Sequence, residues 1–496
     1  MRLSPGRSGL RGTLAGLLVG LLAFGVFGYL WAAPVTTWKI GTDPTFPPFE
    51  FRDKKTNQIT GFDVDLIKAV GKLTGHRIEW VALPFDGVIP ALQSGSVDAA
   101  ISAMTITPDR AKAIDFSRPY FLAGQAIVVR ENGPVIKGFD DLQGRRIAVQ
   151  IGTTGAIKAA EVPGAKVSSF DSTPLALQEL ANGNADAVVS DIPAILYAIE
   201  QANLTGLKIS SEHLTEEYYG IGARPGSPVL ASLNQALGTL FANDQYAAIY
   251  RRWFGAEPPA LPAVAPGLAS DRSQKNGLDP QLLLANLLKG AGITLVLTVL
   301  SFSFGLAGGI GLAMLLQAPW PLAHRLCRIY IEFFRGTPML VQLFLIYFGL
   351  PALLQSLQVP FSIERMPAAV TALSLNVAAY LSETLRSGIE SIDRGQWEAA
   401  DALGFNPVER MRFVIAPQAI RRVIPPLANE FITLIKDTSL AAVIGFDELF
   451  RQGQLMVATT YRAFEIYIAV ALVYLLMTTT ASLLFKRLER RLKLPA

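Results

Sequence analysis

Two charged side chains and one backbone turn in the first half of the chain stand out for what they could bind. Arg110 closes the stretch ISAMTITPDR, where a guanidinium could grip a carboxylate through two parallel bonds. Asp191 follows the strand-like run 187–190 and offers an anion. Between them, Gly152, Thr153 and Thr154 leave one strand-like run and open a helical one, so their free N–H groups would cradle a negative charge. A cation, an anion cradle and a carboxylate together suit a zwitterion such as a free amino acid, because a buried site must compensate both of its charges. Singly, each residue has a plainer reading: a loop Arg is usually solvated, and an Asp after a strand usually caps a helix.

The second half holds two further groups. The segment 398–417, EAADALGFNPVERMRFVIAP, carries Glu398, Asp401, Glu409, Arg410 and Arg412 between apolar runs, which places it in water beside a membrane. Its spacing predicts a short helix over 398–403 ended by Gly404, a turn at Phe405, Asn406 and Pro407, and a second helix over 408–415 interrupted by Pro417. Glu430 and Asp437, seven residues apart, share one helix face inside an apolar run. Buried acids of this kind mark a pathway or an internal pair, here with Lys436, Arg421 or Arg422. Glu383 reads as a helix-end charge.

The elements that must position these groups follow from composition. Of 496 residues, 51% are hydrophobic and only 17% charged, which predicts a chain partly in the membrane. A net charge of +4 without basic runs argues against nucleic acid as a partner. Cys327 is the single cysteine, so neither an intrachain disulfide nor a cysteine-based metal site can form, and His76, His213 and His324 lack ligand spacing. No GxxxxGK[ST] phosphate loop occurs, so the chain holds no ATP of its own. Arg2, Arg7 and Arg11 precede the apolar run 12–31, and 1–33 reads as a signal peptide or an uncleaved membrane anchor, its length favouring the anchor. Alternating strand and helix signals over 38–256 predict a soluble α/β region, with Asp63 capping a helix that Gly75 closes. Pro258, Pro259, Pro262, Pro266 and Pro280 mark 257–280 as a linker. Five apolar spans follow within 282–490, near 291–317, 337–357, 366–385, 423–446 and 464–485. Positive charges after the first, third and fifth place those segments and the C-terminus in the cytoplasm.

Glu398, Ala399 and Ala400, then Gly404 and Pro417, resemble the EAA loop of ABC importer permeases, a segment that docks into a separate ATPase subunit. FFRGTPMLVQ from Phe333 and NEFITLIKDTSL from Asn429 resemble the polar amino-acid branch of those permeases. GTDPTFPPFEF, GFDVDL, ISAMTITPDR, VQIGTTG and ADAVVSDIPAILYA resemble, in order, the periplasmic binding proteins for histidine, glutamine and arginine. The fold these resemblances imply is a two-lobed α/β binding protein of type II, hinged near 124–130 and 218–223, followed by an all-α, five-helix transmembrane domain. Arg110 and Thr105 match positions for the ligand carboxylate, Asp191 for its ammonium, and Ala103, Gln150 and Thr154 further contact positions. Asp43 matches the position facing the ligand side chain, where it would favour a cationic or hydrogen-bond-donating end. Phe46 and Phe85 match rings that sandwich the ligand stem, unless they are plain core aromatics. Ser190, where glutamine-binding relatives carry histidine, and Gln150 in place of lysine weaken a glutamine-only assignment. Glu50 reads as structural. The resemblance implies an importer in the bacterial inner membrane, its receptor on the periplasmic side, working with an ATPase dimer that holds ATP and magnesium. One coupling loop per chain implies a homodimer. A ligand-gated channel or a signalling receptor built on the same trap are the alternatives; the uninterrupted 38–256 stretch and the coupling loop speak against both.

Overall fold

The structure, a computed structural model, describes residues 36–201, 206–267, 279–359 and 361–492. The expected anchor over 1–33 and part of the linker lie outside them.

Lobe one is built on a five-stranded sheet. Thr37–Thr42 runs parallel to Arg77–Ala82 on one side and to the central Ala99–Ala100 on the other, Gly222–Ala223 pairs antiparallel with Ala99–Ala100, and Asp115–Phe116 pairs antiparallel with Gly222–Ala223 at the edge. Lobe two repeats the plan: Arg146–Gln150 runs parallel to Lys166–Phe170 and Ala187–Asp191, with Gln125–Arg130 and Leu207–Ser211 antiparallel at one side. Strands Gln125–Arg130 and Ala187–Asp191 of lobe two are buried on both faces and read as continuous apolar runs, AIVV and AVVS. The chain crosses between lobes on the paired strands Phe121–Ala123 and Glu217–Tyr219. The first crossing falls just before the expected 124–130, because Gln125–Arg130 is already a full member of the lobe-two sheet.

Helix Phe62–Thr74 is capped by Gly61 rather than Asp63, and closed by Gly75 in the left-handed conformation. The Asp63 carboxylate turns inward, accepting from the Ala103 N–H at 2.9 Å and the Tyr120 hydroxyl at 2.8 Å. Glu50 is equally buried and accepts from Ser102 Oγ at 2.9 Å.

The second half is helical. Pro280–Leu315 packs lengthwise on Arg365–Glu390, and small residues allow the approach: a Cβ on Gly305 would lie 2.6 Å from Val377, and one on Gly309 2.9 Å from Leu381. Among the described residues, Pro280–Leu315 and Ala463–Arg491 are long and apolar enough to cross a membrane; Pro321–Gly336 with Met339–Leu354, bent by 109°, would count as a third. The expected third and fourth spans are the less apolar helices Arg365–Glu390 and Ala416–Asp437. The fourth stops at Asp437 and continues as a tight 3₁₀ segment, Thr438–Ile444, rather than as one span to residue 446.

Pro417 does not interrupt the helix that begins at Pro407. The chain runs helically from Pro407 through a π-helical segment, Arg410–Ile415, into Ala416–Asp437. A π-turn shifts the hydrogen-bond ladder by one residue, so a proline at the start of the next α-segment leaves no acceptor stranded.

Candidate functional site

The cleft between the lobes closes on Asp43, Phe46, Phe85, Ala103, Thr105, Arg110, Gln150, Thr154 and Asp191, joined by Ser102 and Thr153. All nine binding positions expected from sequence thus line one cavity. Its free space is about 20 Å³, room for roughly one water, so an amino acid could enter only by parting the lobes.

Arg110 lies in the six-residue helix Pro108–Ala113 and is 1% exposed. Its Nη1 donates to the Thr105 carbonyl at 2.7 Å and its Nη2 to the Gly152 carbonyl of the opposite lobe at 2.9 Å. The guanidinium lies 5.3 Å from the Phe85 ring centre, so that ring serves Arg110 as a cation–π partner. Thr153 caps helix Thr154–Glu161 by accepting from the Ala156 N–H, and Gly152 takes φ +76° to make the turn. Ala103 also sits in the left-handed region, at φ +44°, an uncommon conformation for alanine held at the pocket wall.

Asp43 accepts from Thr45 Oγ1 at 2.8 Å and from Gln150 Nε2 at 3.0 Å. Gln150 in turn accepts from Thr173 Oγ1 at 2.9 Å, so its amide is anchored and orients Asp43. Burial lifts the Asp43 carboxyl to a pKa of about 6, against the pull of those two donors. Asp191 accepts from the Tyr219 hydroxyl; burial, and then Glu217, raise it to about 7, with Tyr219 and Arg110 pulling the other way.

Glu217 and Tyr219 were not foreseen. Glu217 Oε2 accepts from Thr105 Oγ1 of lobe one at 2.6 Å and from Thr154 Oγ1 of lobe two at 2.7 Å, tying the lobes at the crossing strand. In sequence it is one of the paired acids in TEEYYG, and nothing local separates it from its exposed neighbour Glu216.

A second cavity, of about 340 Å³, lies within the helical half and is lined by Thr337, Asn376, Tyr380, Glu430, Thr433 and Asp437 among others. Neither Glu430 nor Asp437 joins an ion pair among the described residues, and Arg422 donates instead to Ser391. Glu383 is paired with Arg386 at 2.7 Å and faces Arg335 at 4.0 Å.

The segment 398–417 folds as two helices pinned together. Asp393 caps Arg394–Ala402, Gly404 reverses the chain at φ +79°, and Asn406 with Glu409 forms a reciprocal capping box. Arg410 Nη1 bonds Asp401 at 2.7 Å and stacks over Trp397. Ala400 is buried, whereas Glu398, Ala399, Gly404 and Pro417 face outward. Leu403 and Val408 at the tip are 76% and 74% exposed, an apolar knob with no partner within the described residues.

Residues 305–494 match the family described as binding-protein-dependent transport system inner membrane components, and residues 38–256 match bacterial extracellular solute-binding proteins, family 3. The glutamine transport system permease protein GlnP of Escherichia coli (strain K12) is 44% identical over 214 residues, 42% of this chain and 93% of its own length. This chain belongs to the ABC importer permeases for polar amino acids, with its solute-binding domain fused ahead of it. The arginine transport system permease protein ArtQ of Bacillus subtilis (strain 168) is 40% identical over 207 residues, 42% of this importer and 92% of ArtQ. An ancestral arginine-binding protein bound to arginine is 45% identical, covering 44% of this importer and 98% of that chain with a TM-score of 0.43. The arginine-, lysine-, histidine-binding protein ArtJ of Geobacillus stearothermophilus is 38% identical, covering 45% and 97%, also with a TM-score of 0.43. The importer is therefore a transport subunit of the inner membrane with an extracellular binding domain, and such systems work with an ATPase.

Proposed function

We propose that this importer takes up basic amino acids, namely arginine, lysine and histidine, with glutamine as an additional or alternative substrate. The observation that carries this reading is the charge balance of the cleft: three carboxylates, Asp43, Asp191 and Glu217, converge against the one guanidinium of Arg110. A neutral zwitterion leaves that imbalance standing, an acidic ligand worsens it, and a ligand carrying a side-chain cation relieves it. In this reading Arg110, Thr105 and the Gly152–Thr154 turn hold the ligand carboxylate and Asp191 its ammonium. Asp43, oriented by Gln150, faces the side chain, and Phe46, Phe85 and Ala103 wall the stem. The name of ArtQ agrees with it, and that of GlnP keeps glutamine in view.

Released ligand would pass to the cavity that holds Glu430 and Asp437, whose unpaired acids favour a cationic side chain. Five helices per chain would cross the membrane, with residues 257–280 as the tether and the C-terminus in the cytoplasm. Two copies of the chain would complete the permease, and the loop around Glu398, Ala399, Ala400, Gly404 and Pro417 would enter an ATPase dimer that binds ATP and magnesium.

Uptake of labelled L-arginine into proteoliposomes holding this chain and its co-purified ATPase tests the proposal. Uptake should require ATP, and Asp437→Asn should slow arginine more than glutamine. Arginine flux without ATP, or uptake confined to acidic amino acids, would overturn it.

A further inference from the structure

Among the contacts that seat the receptor lobes on the permease, two differ in what they can sense. The first touches lobe two alone. The Tyr347 hydroxyl donates to Glu179 at 2.6 and 2.5 Å, and Asn184 Nδ2 donates to the Ile363 carbonyl at 3.1 Å. Such a contact holds lobe two whatever the angle between the lobes.

The second contact lies at the mouth of the cleft, where helix Leu449–Thr460 meets both lobes. Arg451 has 0% of its side chain exposed. Its Nη1 donates to Asp171 Oδ1 at 2.8 Å and its Nη2 to the Ser169 carbonyl, both on lobe two. The Asp171 carbonyl accepts from Gln150 Nε2 at 3.4 Å, and that same nitrogen donates to Asp43 in the pocket. Gly152 marks where three parts converge: a Cβ there would lie 3.6 Å from Asp86 of lobe one and 3.7 Å from Ala458 of the permease helix. Asp86 is pushed upward by burial and then by Asp171, and pulled back by Arg451. Asp171 and Asp86 thus lie on opposite lobes at the same mouth, where the permease helix reaches both lobes and its Arg451 bonds Asp171.

We propose that Arg451 makes docking depend on lobe closure, because its guanidinium can compensate Asp171 of lobe two and Asp86 of lobe one together only when the lobes have closed. The proposal rests on the cleft being the amino-acid site. Arg451 is then a positioning residue, not a ligand contact: the permease and the amino acid stabilise the same closed state. Coupling of this kind is reciprocal, so a permease substitution must change the receptor's affinity.

The test is calorimetric titration of the full chain in lipid nanodiscs with L-arginine. Arg451→Gln should weaken binding about tenfold. Adding Asp171→Asn or Asp86→Asn to that variant should recover most of the loss, since the repulsion that Arg451 offsets is then gone. Unchanged affinity in Arg451→Gln, or no recovery in either double variant, would show that Arg451 only packs and would overturn the proposal. Should Arg451→Gln fail to assemble, Asp171→Asn alone decides, read by fluorophores on lobe one and the permease. Arginine should still bind while no longer drawing lobe one onto the permease; docking of lobe one that still follows arginine overturns the proposal. If neither L-arginine nor L-glutamine binds the unmodified chain, the cleft reading itself falls, and the proposal with it.

Discussion

At the scale of single residues, the cleft combines one buried cation with carboxyl groups that burial makes reluctant to ionise. Asp43 and Asp191 sit near about 6 and about 7 instead of 3.8. The side-chain cation of arginine stays protonated between pH 5 and 8, whereas protonating these two acids would remove the charges proposed to hold the ligand. Arginine affinity should therefore fall as pH drops from 8 to 5, by at least about tenfold. Asp43→Asn should weaken arginine about tenfold or more, spare glutamine, and flatten the arginine pH profile; titration at several pH values reads all three. Equal arginine affinity in the variant would remove Asp43 from the side-chain pocket. Arg110, Asp191 and the Gly152–Thr154 turn were legible in the sequence because each stands at the end of a strand or the start of a helix, where local chemistry shows. Glu217 and Tyr219 were not. They reach the pocket only because the chain crosses back between the lobes at that point, a fact of topology that no local pattern carries.

Helices and turns were legible where period and punctuation agree. Gly75 and Gly404 end their helices in the left-handed conformation as expected. Pro417 misled because a proline's effect depends on the ladder around it, and the π-helical segment Arg410–Ile415 leaves room for it. The expected cap at Asp63 failed for a related reason: its carboxylate is drawn inward by Ala103 and Tyr120, residues distant in sequence. At the proposed coupling loop, Gly404 has open space around its Cα, so Gly404→Ala meets no clash and acts through the backbone alone, at a cost of about 1 kcal/mol. Uptake and arginine-stimulated ATP hydrolysis should fall several-fold while arginine affinity stays unchanged, which calorimetry beside an ATPase assay would establish. A parallel loss of arginine affinity would mean that the loop is not a separate coupling element.

Across the whole molecule, one helix links the two working faces. Arg365–Glu390, about 39 Å long at 1.5 Å per residue, begins beside the receptor and ends against the proposed coupling loop. At its start Arg365 donates to the Gly445 carbonyl at 2.5 Å, and a Cβ on Gly445 would lie 2.8 Å from the Ser169 carbonyl of lobe two. At its end Ile389 packs with Ile392, Ile415 and Ala419 under the loop. The order of domains was legible from composition, since a polar α/β stretch, a proline-rich tether and apolar spans differ in kind. The seating of receptor on permease was not, because it depends on isolated polar residues such as Arg451 and Tyr347 that carry no periodicity. The central claim, a tethered receptor for basic amino acids, is tested most directly by calorimetric titration of the purified full chain with each standard amino acid. Arginine, lysine and histidine should bind, with glutamine as the neutral candidate, and Arg110→Ala or Asp191→Ala should lose them all. Binding of glutamate or aspartate in their place, or binding that survives both substitutions, would contradict the account.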